Sequence, residues 1–271
     1  MTIADLAITE LDEIRAYDVT TGAYLFTIDE LQSASIENGE EKIDIVGKQG
    51  RKLASLKRNK TATITGANGL VSCGLIALQT GGDFENKATK VNWAEPLTIS
   101  TNTATTTWKA VGTVGAEIKN LYIKNSDGTL GTKLEQDSSA GAGKFTYDPS
   151  TKTLVFATGA YADGTEIYVD YDRKITANVL ENISDNFSSK ATLYVDATAE
   201  DRCGNLYRIQ FYFPKADFDG NFTLDMGDNQ AVHNFTAEAL AGACGGAATF
   251  WTYTVFGAAE TDYGAGTDST E

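Results

Sequence analysis

The sequence predicts a mainly β protein with one helix, and three observations support this prediction. The 271 residues include only three prolines but 26 glycines, together with many Thr, Val, Ile, Tyr and Phe residues, a composition typical of strands and turns. Apolar and polar residues alternate in many short segments, as they do when successive side chains of a strand point to opposite faces. Turn-forming Gly, Asn and Asp residues separate these segments.

The first two predicted strands form a β-hairpin. Residues 14–18 and 23–28 are rich in apolar and aromatic side chains, and Thr21-Gly22 lies between them. Glycine readily adopts the backbone conformation that a tight turn needs. Residues 32–36 predict a third, short strand, which we expect to end at Glu37-Asn-Gly39.

A second predicted hairpin comes before the predicted helix. Residues 42–46 and 60–65 both alternate apolar and polar side chains, so we expect two strands joined by a long basic arm. Between Leu70 and Gln79, apolar side chains recur every three or four positions, which is the spacing of one helix face. The helix should end at Gly81-Gly82, because glycine favours the left-handed conformation that commonly ends a helix.

Residues 88–180 differ in texture, since short alternating segments lie in a background rich in Thr, Gly and Ser. Turn signals separate these segments at near-regular intervals, which is typical of a small immunoglobulin-like β-sandwich. We therefore expect residues 88–180 to form a domain inserted into a larger one, which comprises residues 1–87 and 181–256. The predicted strands of the inserted domain are residues 97–99, 107–111, 118–124, 143–147, 153–156 and 165–171, and its predicted core residues are Trp108, Leu121, Ile123, Phe145, Leu154, Phe156, Ile167 and Val169.

The last part of the chain predicts an antiparallel meander. Residues 191–198 alternate strictly, and residues 206–213 are dense in aromatic and β-branched side chains up to Pro214, where we expect the strand to end. Residues 257–271 are small, polar and acidic, so we expect a disordered tail. Further strands are predicted at residues 222–226, 232–237 and 249–256.

Charge is distributed unevenly along the chain. The net charge is −15, which argues against wrapping by nucleic acid, because phosphate binding needs Lys and Arg. Residues 42–60 nevertheless carry a charge of +6, so the remainder carries −21. This segment is either an ordinary solvated loop or a positive patch that docks on the acidic body of a neighbouring copy. The candidate contact residues are Lys48, Arg51, Lys52, Lys57 and Arg58.

Residues suited to catalysis or metal binding are scarce. His233 is the only histidine and lies in an alternating segment, so we interpret it as a strand residue with satisfied hydrogen bonds. The three cysteines are widely spaced, so we expect reduced, buried thiols rather than a disulfide framework or a zinc site. Residues 217–221 are better explained as a turn than as a calcium loop. The sequence therefore predicts no enzyme activity, no cofactor and no metal site.

Membrane and export signals are not expected either. The first ten residues lack the basic start and apolar run of a secretory signal. The longest apolar run lies between Gly69 and Gln79 and is shorter than the roughly 20 residues of a membrane-spanning helix. We therefore expect no membrane partner.

Taken in order, several of these features resemble the major tail tube proteins of long-tailed bacteriophages. The resemblance covers residues 14–87 and 181–256, and residues 88–180 resemble the immunoglobulin-like decorations often attached to such proteins. It implies a tail-tube-type antiparallel β-sandwich or barrel with one helix. The matching features are the strand 42–46, the basic segment Gly47–Arg51, the return strand 60–65, the helix Leu70–Gln79, and the closing segments Tyr207–Ala216 and Asn221–Met226.

The resemblance also implies a function. Copies would form hexameric rings that stack into a tube in the virion tail, after assembly in the host cytoplasm, with the tape measure and tail terminator proteins as further partners. DNA would pass through without specific binding, because an acidic lumen repels phosphate. If strands 191–198 and 222–226 line the lumen, alternation turns one set of their side chains away from the core. Asp196 and Asp225 are then the candidate lining residues.

Two other structural functions fit the same composition. A phage or bacterial surface protein would display aromatic loops that bind a carbohydrate or a receptor. A capsid or decoration protein would also be acidic and rich in β structure. Negative-stain images of the purified protein would separate a tube protein, which forms rings or tubes, from a surface protein, which forms monomers or trimers.

Overall fold

A computed structural model describes residues 5–225, 232–241 and 248–257. Met226, Cys244 and residues 258–271 of the predicted tail therefore lie outside the described residues. By its internal contacts the chain divides into two compact units. The first unit comprises the residues up to Asp83 and from Leu180 onward, and the inserted unit is Phe84–Val179. The sequence-based boundaries are residues 88 and 180, and independent folding of the inserted unit stays a prediction.

Strands dominate both units, which confirms the prediction of a mainly β protein with one helix. A single 3-10 turn at Lys48–Gly50 joins the third and fourth strands. In chain order the described elements are β1 (Leu6–Asp18), β2 (Tyr24–Ile28), β3 (Leu31–Val46), β4 (Lys52–Asn68), α1 (Cys73–Thr80), β5 (Glu85–Thr98), β6 (Thr103–Thr105), β7 (Ile118–Lys124), β8 (Leu130–Gln136), β9 (Lys144–Asp148), β10 (Thr153–Phe156), β11 (Glu166–Val179), β12 (Lys190–Asp201), β13 (Leu206–Phe218), β14 (Leu224–Asp225), β15 (Val232–Ala239) and β16 (Thr252–Gly257).

The first unit is built on one antiparallel sheet. Its strand order is β2-β1-β12-β13-β15-β4-β3, with β14 paired to β15 and β16 paired to β13. Strand β12 shows which face is buried, because Leu193 and Val195 are at most 2% exposed while Tyr194 and Asp196 are half-buried. This pattern confirms the predicted alternation of residues 191–198. The largest side chains of the core include Ile14, Phe26, Ile64, Leu75, Phe213 and Phe235.

Strand β3 is continuous where the sequence predicts a break at Glu37-Asn-Gly39, so that prediction is wrong. The longer partner strand β4 pairs with β3 on both sides of this point, and a register shift between Gly39 and Glu41 absorbs the irregularity. A Cβ atom at position 39 would lie 2.6 Å from the hydroxyl of Thr61. Glycine at this position therefore permits a close approach between the strands and does not end β3.

Strand β13 continues to Phe218, although the sequence predicts that it ends at Pro214. The register between β12 and β13 shifts between Ala191 and Leu193, which places Pro214 at a bulge. A bulge residue need not donate a ladder hydrogen bond, so proline is tolerated there. The hydroxyl of Thr192 donates to the Pro214 carbonyl at 2.9 Å and holds the bulged segment in place.

Helix α1 is confirmed, but it begins at Cys73 instead of Leu70. The hydroxyl of Ser72 accepts a hydrogen bond from the backbone N–H of Leu75 at 3.3 Å, which is the geometry of an N-cap. Gly81 ends the helix with φ of 67°, as predicted.

Helix α1 has eight residues and is far shorter than a membrane-spanning helix. The described part of the chain contains no helix that is long and apolar enough to span a membrane.

The cysteines depart from the sequence prediction. Cys73 and Cys203 are free thiols, as expected, but both are exposed, so the prediction that they are buried is wrong. Cys203 lies in the turn between β12 and β13, whose backbone is fixed by the carboxylate of Asp201. The Cys203 thiol therefore lies in a surface turn and remains exposed to solvent.

The inserted unit contains a seven-stranded sheet in the order β5-β11-β7-β8-β9-β10-β6, in which only the β8–β9 pair is parallel. Strands β6 and β8 are not predicted from the sequence, and the predicted strand 107–111 is wrong, because that segment is a loop. The immunoglobulin-like assignment stays a prediction. The core residues are Ile99, Ala104, Ala110, Ile118, Leu121, Leu134, Phe145, Tyr147, Leu154, Phe156, Ile167, Val169 and Tyr171.

Trp108 is the clearest error in the predicted core of the inserted unit. Its side chain is 45% exposed, whereas the predicted residues Leu121, Phe145 and Ile167 are at most 1% exposed. Ile123 is only partly buried but packs against the same cluster. Hydrogen bonds hold the Trp108 loop against the sheet and leave the indole ring at the surface.

Candidate assembly surfaces

The hairpin of β3 and β4 extends beyond the sheet that carries it. Strand β15 pairs with β4 only over residues 63–68. From Glu41, which lies opposite Arg58, to the turn at Lys48–Gly50, the two strands pair only with each other in the described part of the chain. We call residues 41–58 the arm. The predicted hairpin with a long arm is therefore confirmed, with longer strands than the sequence indicates.

Three of the five predicted contact cations are neutralised within the hairpin. Their carboxylate partners come from β3, directly across the ladder or two positions away. The hydrogen bond from Arg58 lowers the pKa of the Glu41 carboxyl. The pairs are exposed to solvent, so each contributes little to stability. They are Lys52–Asp44 at 2.6 Å, Lys57–Glu40 at 2.8 Å and Arg58–Glu41 at 3.0 Å.

The other two predicted cations, Lys48 and Arg51, lie at the tip of the arm. Within the described residues, neither side chain forms an ion pair or a hydrogen bond. The tip turns tightly, since Gln49 has φ of 65° and Gly50 has φ of 74°. Two of the arm's three unpaired cations therefore lie at this turn, and the third, Lys42, lies near the base of the arm.

The arm also carries solvent-exposed apolar side chains, which are not among the contact residues predicted from charge. Ile45 is 51% exposed and Leu56 is 53% exposed. The register pairs Ile43 with Leu56 and Ile45 with Ala54, so these side chains lie on one face of the hairpin. The sequence signal was present in the alternation of residues 43–46, but alternation alone does not say whether another part of the chain covers the apolar face.

Asp196, the first candidate lumen residue, lies on the face of β12 that points away from the core. Its carboxylate forms a salt bridge with the guanidinium of Arg15 and accepts a hydrogen bond from Gln210 at 2.8 Å. The Asp196 side chain is only 17% exposed. Asp196 is therefore a paired charge within a hydrogen-bonded row and not an isolated surface anion.

The same outer face of β1, β12 and β13 continues as a mixed polar and aromatic surface. Arg208 forms a salt bridge with Asp12, and Glu13 lies 3.1 Å from the Nε atom of Arg15. The rings of Tyr194 and Tyr212 lie 4.9 Å apart. We call this surface the polar face, and its charged members are Asp12, Glu13, Arg15, Asp196 and Arg208. Three carboxylates therefore face two guanidinium groups.

Asp225, the second candidate lumen residue, lies in the short strand β14 opposite Val232. Its side chain is outside the described part of the structure. Its assignment to the lumen stays a prediction, and nothing here brings it together with Asp196.

An apolar cleft of about 530 Å³ opens beside the first half of β3. No pattern in the sequence predicts this cleft. Leu31 and Ile36 both line the cleft although their positions differ in parity, because a register shift between Leu31 and Ser33 realigns the strand. The other lining residues are Ile8, Leu11, Gln32, Ser33, Ala34, Ser35, Asn38, Ile64, Val195, Ala197, Phe211 and Trp251.

His233 is a fully buried strand residue with both ring nitrogens hydrogen-bonded, which confirms its interpretation. Its Nε2 atom lies 2.8 Å from the Oε1 atom of Gln79, and its Nδ1 atom accepts the backbone N–H of Ser72 at 3.4 Å. Burial lowers the pKa of His233, so the neutral ring is favoured. The His233 ring therefore connects helix α1 to β15.

Among the described residues, no group of three or more His, Cys, Asp or Glu side chains is arranged to hold a metal ion.

The fold and these surfaces define a class of protein: a β-sheet protein whose distinctive features are a protruding hairpin and a self-paired polar face. Residues 6–253 match the model of the YomU/Tube protein family, and the chain belongs to that family. Membership indicates a structural protein of the phage tail tube, located in the virion tail. No curated protein gives a significant match to the chain.

Proposed function

We propose that this chain forms stacked hexameric rings that make the wall of a phage tail tube, and that DNA passes through the lumen. The observation that carries the proposal is the arm of a tube-family chain. The arm presents solvent-exposed apolar side chains, and the two cations at its tip have no ion-pair partner within the described residues. A monomer gains nothing from such a hairpin, whereas a neighbouring copy can cover it.

The arm is the proposed contact between rings. Lys48 and Arg51 supply positive charge at the tip, and the chain outside residues 42–60 carries −21. Complementary charge favours docking of the tip on the body of the next copy. Lys52, Lys57 and Arg58, whose charges are paired along the hairpin, keep the arm straight and join the contact through their alkyl chains. Ile45 and Leu56 supply the apolar area that is buried on stacking.

The polar face is the proposed lumen lining. Its arginines are held by carboxylates, and the excess of one carboxylate leaves the surface weakly negative. Such a surface offers no free guanidinium to the DNA backbone, so the duplex slides without being retained. Asp196 contributes by neutralising Arg15, and Asp225 is retained as a second lining residue on the basis of its strand pattern.

The proposed contact is tested by electron microscopy of purified protein and by sedimentation. The variant Ile45→Asn/Leu56→Asn removes the apolar face of the arm, and Lys48→Glu/Arg51→Glu reverses the charge of its tip. Both should abolish tubes while leaving the far-UV circular dichroism spectrum unchanged, since none of these side chains belongs to the core. Single rings should remain if only stacking is lost.

The matched control is Val114→Asn, which changes an apolar residue that is 92% exposed in a turn of the inserted unit. This variant should form tubes normally. Normal tubes from both arm variants would remove the arm from the contact between rings. A wild-type protein that stays monomeric at all concentrations, also when mixed with tail extracts, would argue for a surface protein instead.

A further inference from the structure

An arginine stacked between two tryptophans lies at the surface of the inserted unit. The guanidinium carbon of Arg173 is 4.7 Å from the ring centroid of Trp93 and 4.3 Å from that of Trp108. The indoles nevertheless remain accessible, since Trp93 is 37% exposed and Trp108 is 45% exposed. Each indole therefore contacts the cation and still presents apolar ring surface to the solvent.

Within the described residues, the guanidinium of Arg173 forms no salt bridge and no hydrogen bond, and its Nε atom is buried without an acceptor. The chain contains 37 acidic residues, and four of its six arginines, at positions 15, 58, 202 and 208, pair with carboxylates, whereas Arg51 at the tip of the arm and Arg173 form no ion pair within the described residues. An arginine presents five N–H donors in a planar fork. The N–H donors of Arg173 therefore remain available for a ligand, although the protein is rich in carboxylates.

A buried carboxylate fixes the position of this stack. Glu95 is 8% exposed and accepts hydrogen bonds from the hydroxyl of Tyr171 at 2.7 Å and from the backbone N–H of Thr107 at 2.9 Å. The same Tyr171 oxygen accepts the backbone N–H of Trp108 at 3.1 Å, and the Thr106 hydroxyl donates to the Trp108 carbonyl at 2.8 Å. The loop is therefore anchored on both sides of the indole.

The anchored loop favours ligand binding. A site whose side chains are already fixed loses little conformational entropy when a ligand binds. Cation–π contacts with two indoles also restrict the Arg173 guanidinium. Lys109, the exposed neighbour of Trp108, adds a second positive charge on the same loop.

We propose that Trp93, Arg173 and Trp108 form a binding site for an acidic glycan. The ligand is a sugar polymer with a carboxylate on its pyranose ring. The guanidinium binds the carboxylate through paired N–H donors, and an exposed indole face packs against the apolar face of the sugar ring. The site gives the inserted unit a recognition function that is separate from the formation of the tube.

Binding is measured on the full chain by isothermal titration calorimetry and by tryptophan fluorescence, with a hyaluronan tetrasaccharide as the probe. The control ligand is the same tetrasaccharide with its carboxylates reduced to hydroxymethyl groups. We expect the acidic ligand to bind at least about tenfold more tightly than the reduced one, with an affinity that falls as salt is added. Equal affinities would overturn the role of Arg173.

Two substitutions separate charge from geometry. Arg173→Gln should abolish binding of the acidic ligand, whereas Arg173→Lys, which keeps the charge but not the fork, should retain weak binding. Trp108→Phe should weaken binding while the far-UV spectrum stays unchanged. The control Arg202→Gln removes an exposed arginine of the first unit and should bind normally.

Three outcomes contradict the proposal. If the protein binds no acidic tetrasaccharide at millimolar concentration, the stack serves only to stabilise the fold. If poly-glutamate binds as tightly as the glycan, the ligand class is an acidic peptide instead. If Arg173→Gln lowers the melting temperature of the inserted unit and leaves ligand affinity unchanged, Arg173 is not part of the binding site. Tube formation by the same variants is scored separately, so this site and the tube function are tested independently.

Discussion

His233 in the first unit and Glu95 in the inserted unit are both buried titratable side chains, and they are held in opposite charge states. In the first unit, His233 meets one backbone N–H donor at Nδ1 and one side-chain acceptor at Nε2, a set that fits only the neutral ring. In the inserted unit, Glu95 meets hydroxyl and N–H donors alone, a set that fits only the carboxylate. Burial alone therefore does not set the protonation state, because the neighbouring donors and acceptors decide it.

The pKa values follow the same rule. Burial lowers the pKa of His233, because removal from water disfavours the protonated, charged ring. Burial by itself would raise the pKa of Glu95, but the hydrogen bonds from Thr107 and Tyr171 outweigh it and lower the pKa. Each group therefore couples the stability of its own unit to pH.

The largest expected effect comes from removing the charge of Glu95. In Glu95→Gln the new amide group faces N–H and hydroxyl donors, so at least one buried donor loses its acceptor. We expect the free energy of unfolding of the inserted unit to fall by about 3 kcal/mol. Chemical denaturation followed by the fluorescence of Trp93 and Trp108 measures this change.

The control for this substitution is Glu135→Gln, because Glu135 lies on an exposed position of β8 in the same unit. It should change stability by no more than about 0.5 kcal/mol. Similar, small effects of the two substitutions would mean that Glu95 is not ionised in the folded unit, and the contrast between the two buried groups would be lost.

The second prediction concerns acid unfolding of the wild-type chain. His233 has a lowered pKa when folded, so the unfolded chain binds more protons below its ordinary pKa of 6.5, and the first unit loses stability as the pH falls from there. Glu95 also has a lowered pKa when folded, so its contribution is intact above its ordinary pKa of 4.5 and is lost below that value. The first unit should therefore weaken at a higher pH than the inserted unit.

The magnitude of each slope is limited to about 1.4 kcal/mol per pH unit for one proton. Denaturant midpoints between pH 7 and pH 3 measure it, with Trp251 reporting on the first unit. In His233→Gln the loss of stability between pH 6.5 and pH 5 should disappear, while the loss below pH 4.5 remains. A single transition whose pH dependence is the same for the tryptophan probes of both units would contradict the assignment of the higher-pH loss to His233 and of the lower-pH loss to Glu95.

The sequence predicts the fold class and most strand positions because alternation and turn residues are local signals. Residues 118–124 and 153–156 coincide with strands β7 and β10. It fails where pairing overrides local preference, as at Gly39 and Pro214, whose partners shift register and accommodate them. A single sequence contains no record of such partner shifts.

The candidate sites show the same limit. Charge along the chain identifies the arm, but it does not reveal that Lys52, Lys57 and Arg58 already have carboxylate partners across the hairpin. The charge pattern along the sequence likewise does not reveal that Asp196 is paired. Its partner Arg15 is far away in sequence and is brought near only by the pairing of β1 with β12. Trp108 is predicted as core because its residue type favours burial, whereas the hydrogen bonds of its loop keep it at the surface.

The smallest expected effect tests whether the two units are separable. Strands β5 and β11 pair along their whole length, and Glu85 lies directly opposite Val179, so the chain leaves and re-enters the first unit at neighbouring positions. Replacing residues 86–178 by Gly-Gly should therefore close a short hairpin without strain. We expect the melting temperature of the first unit and tube formation to remain unchanged. The matched control removes residues 86–165 and so leaves β11 without its partner β5, which exposes an unpaired strand and should cause aggregation. If the Gly-Gly variant is as insoluble as this control, the inserted unit is required for the fold of the first unit, and the two buried groups belong to a single cooperative structure.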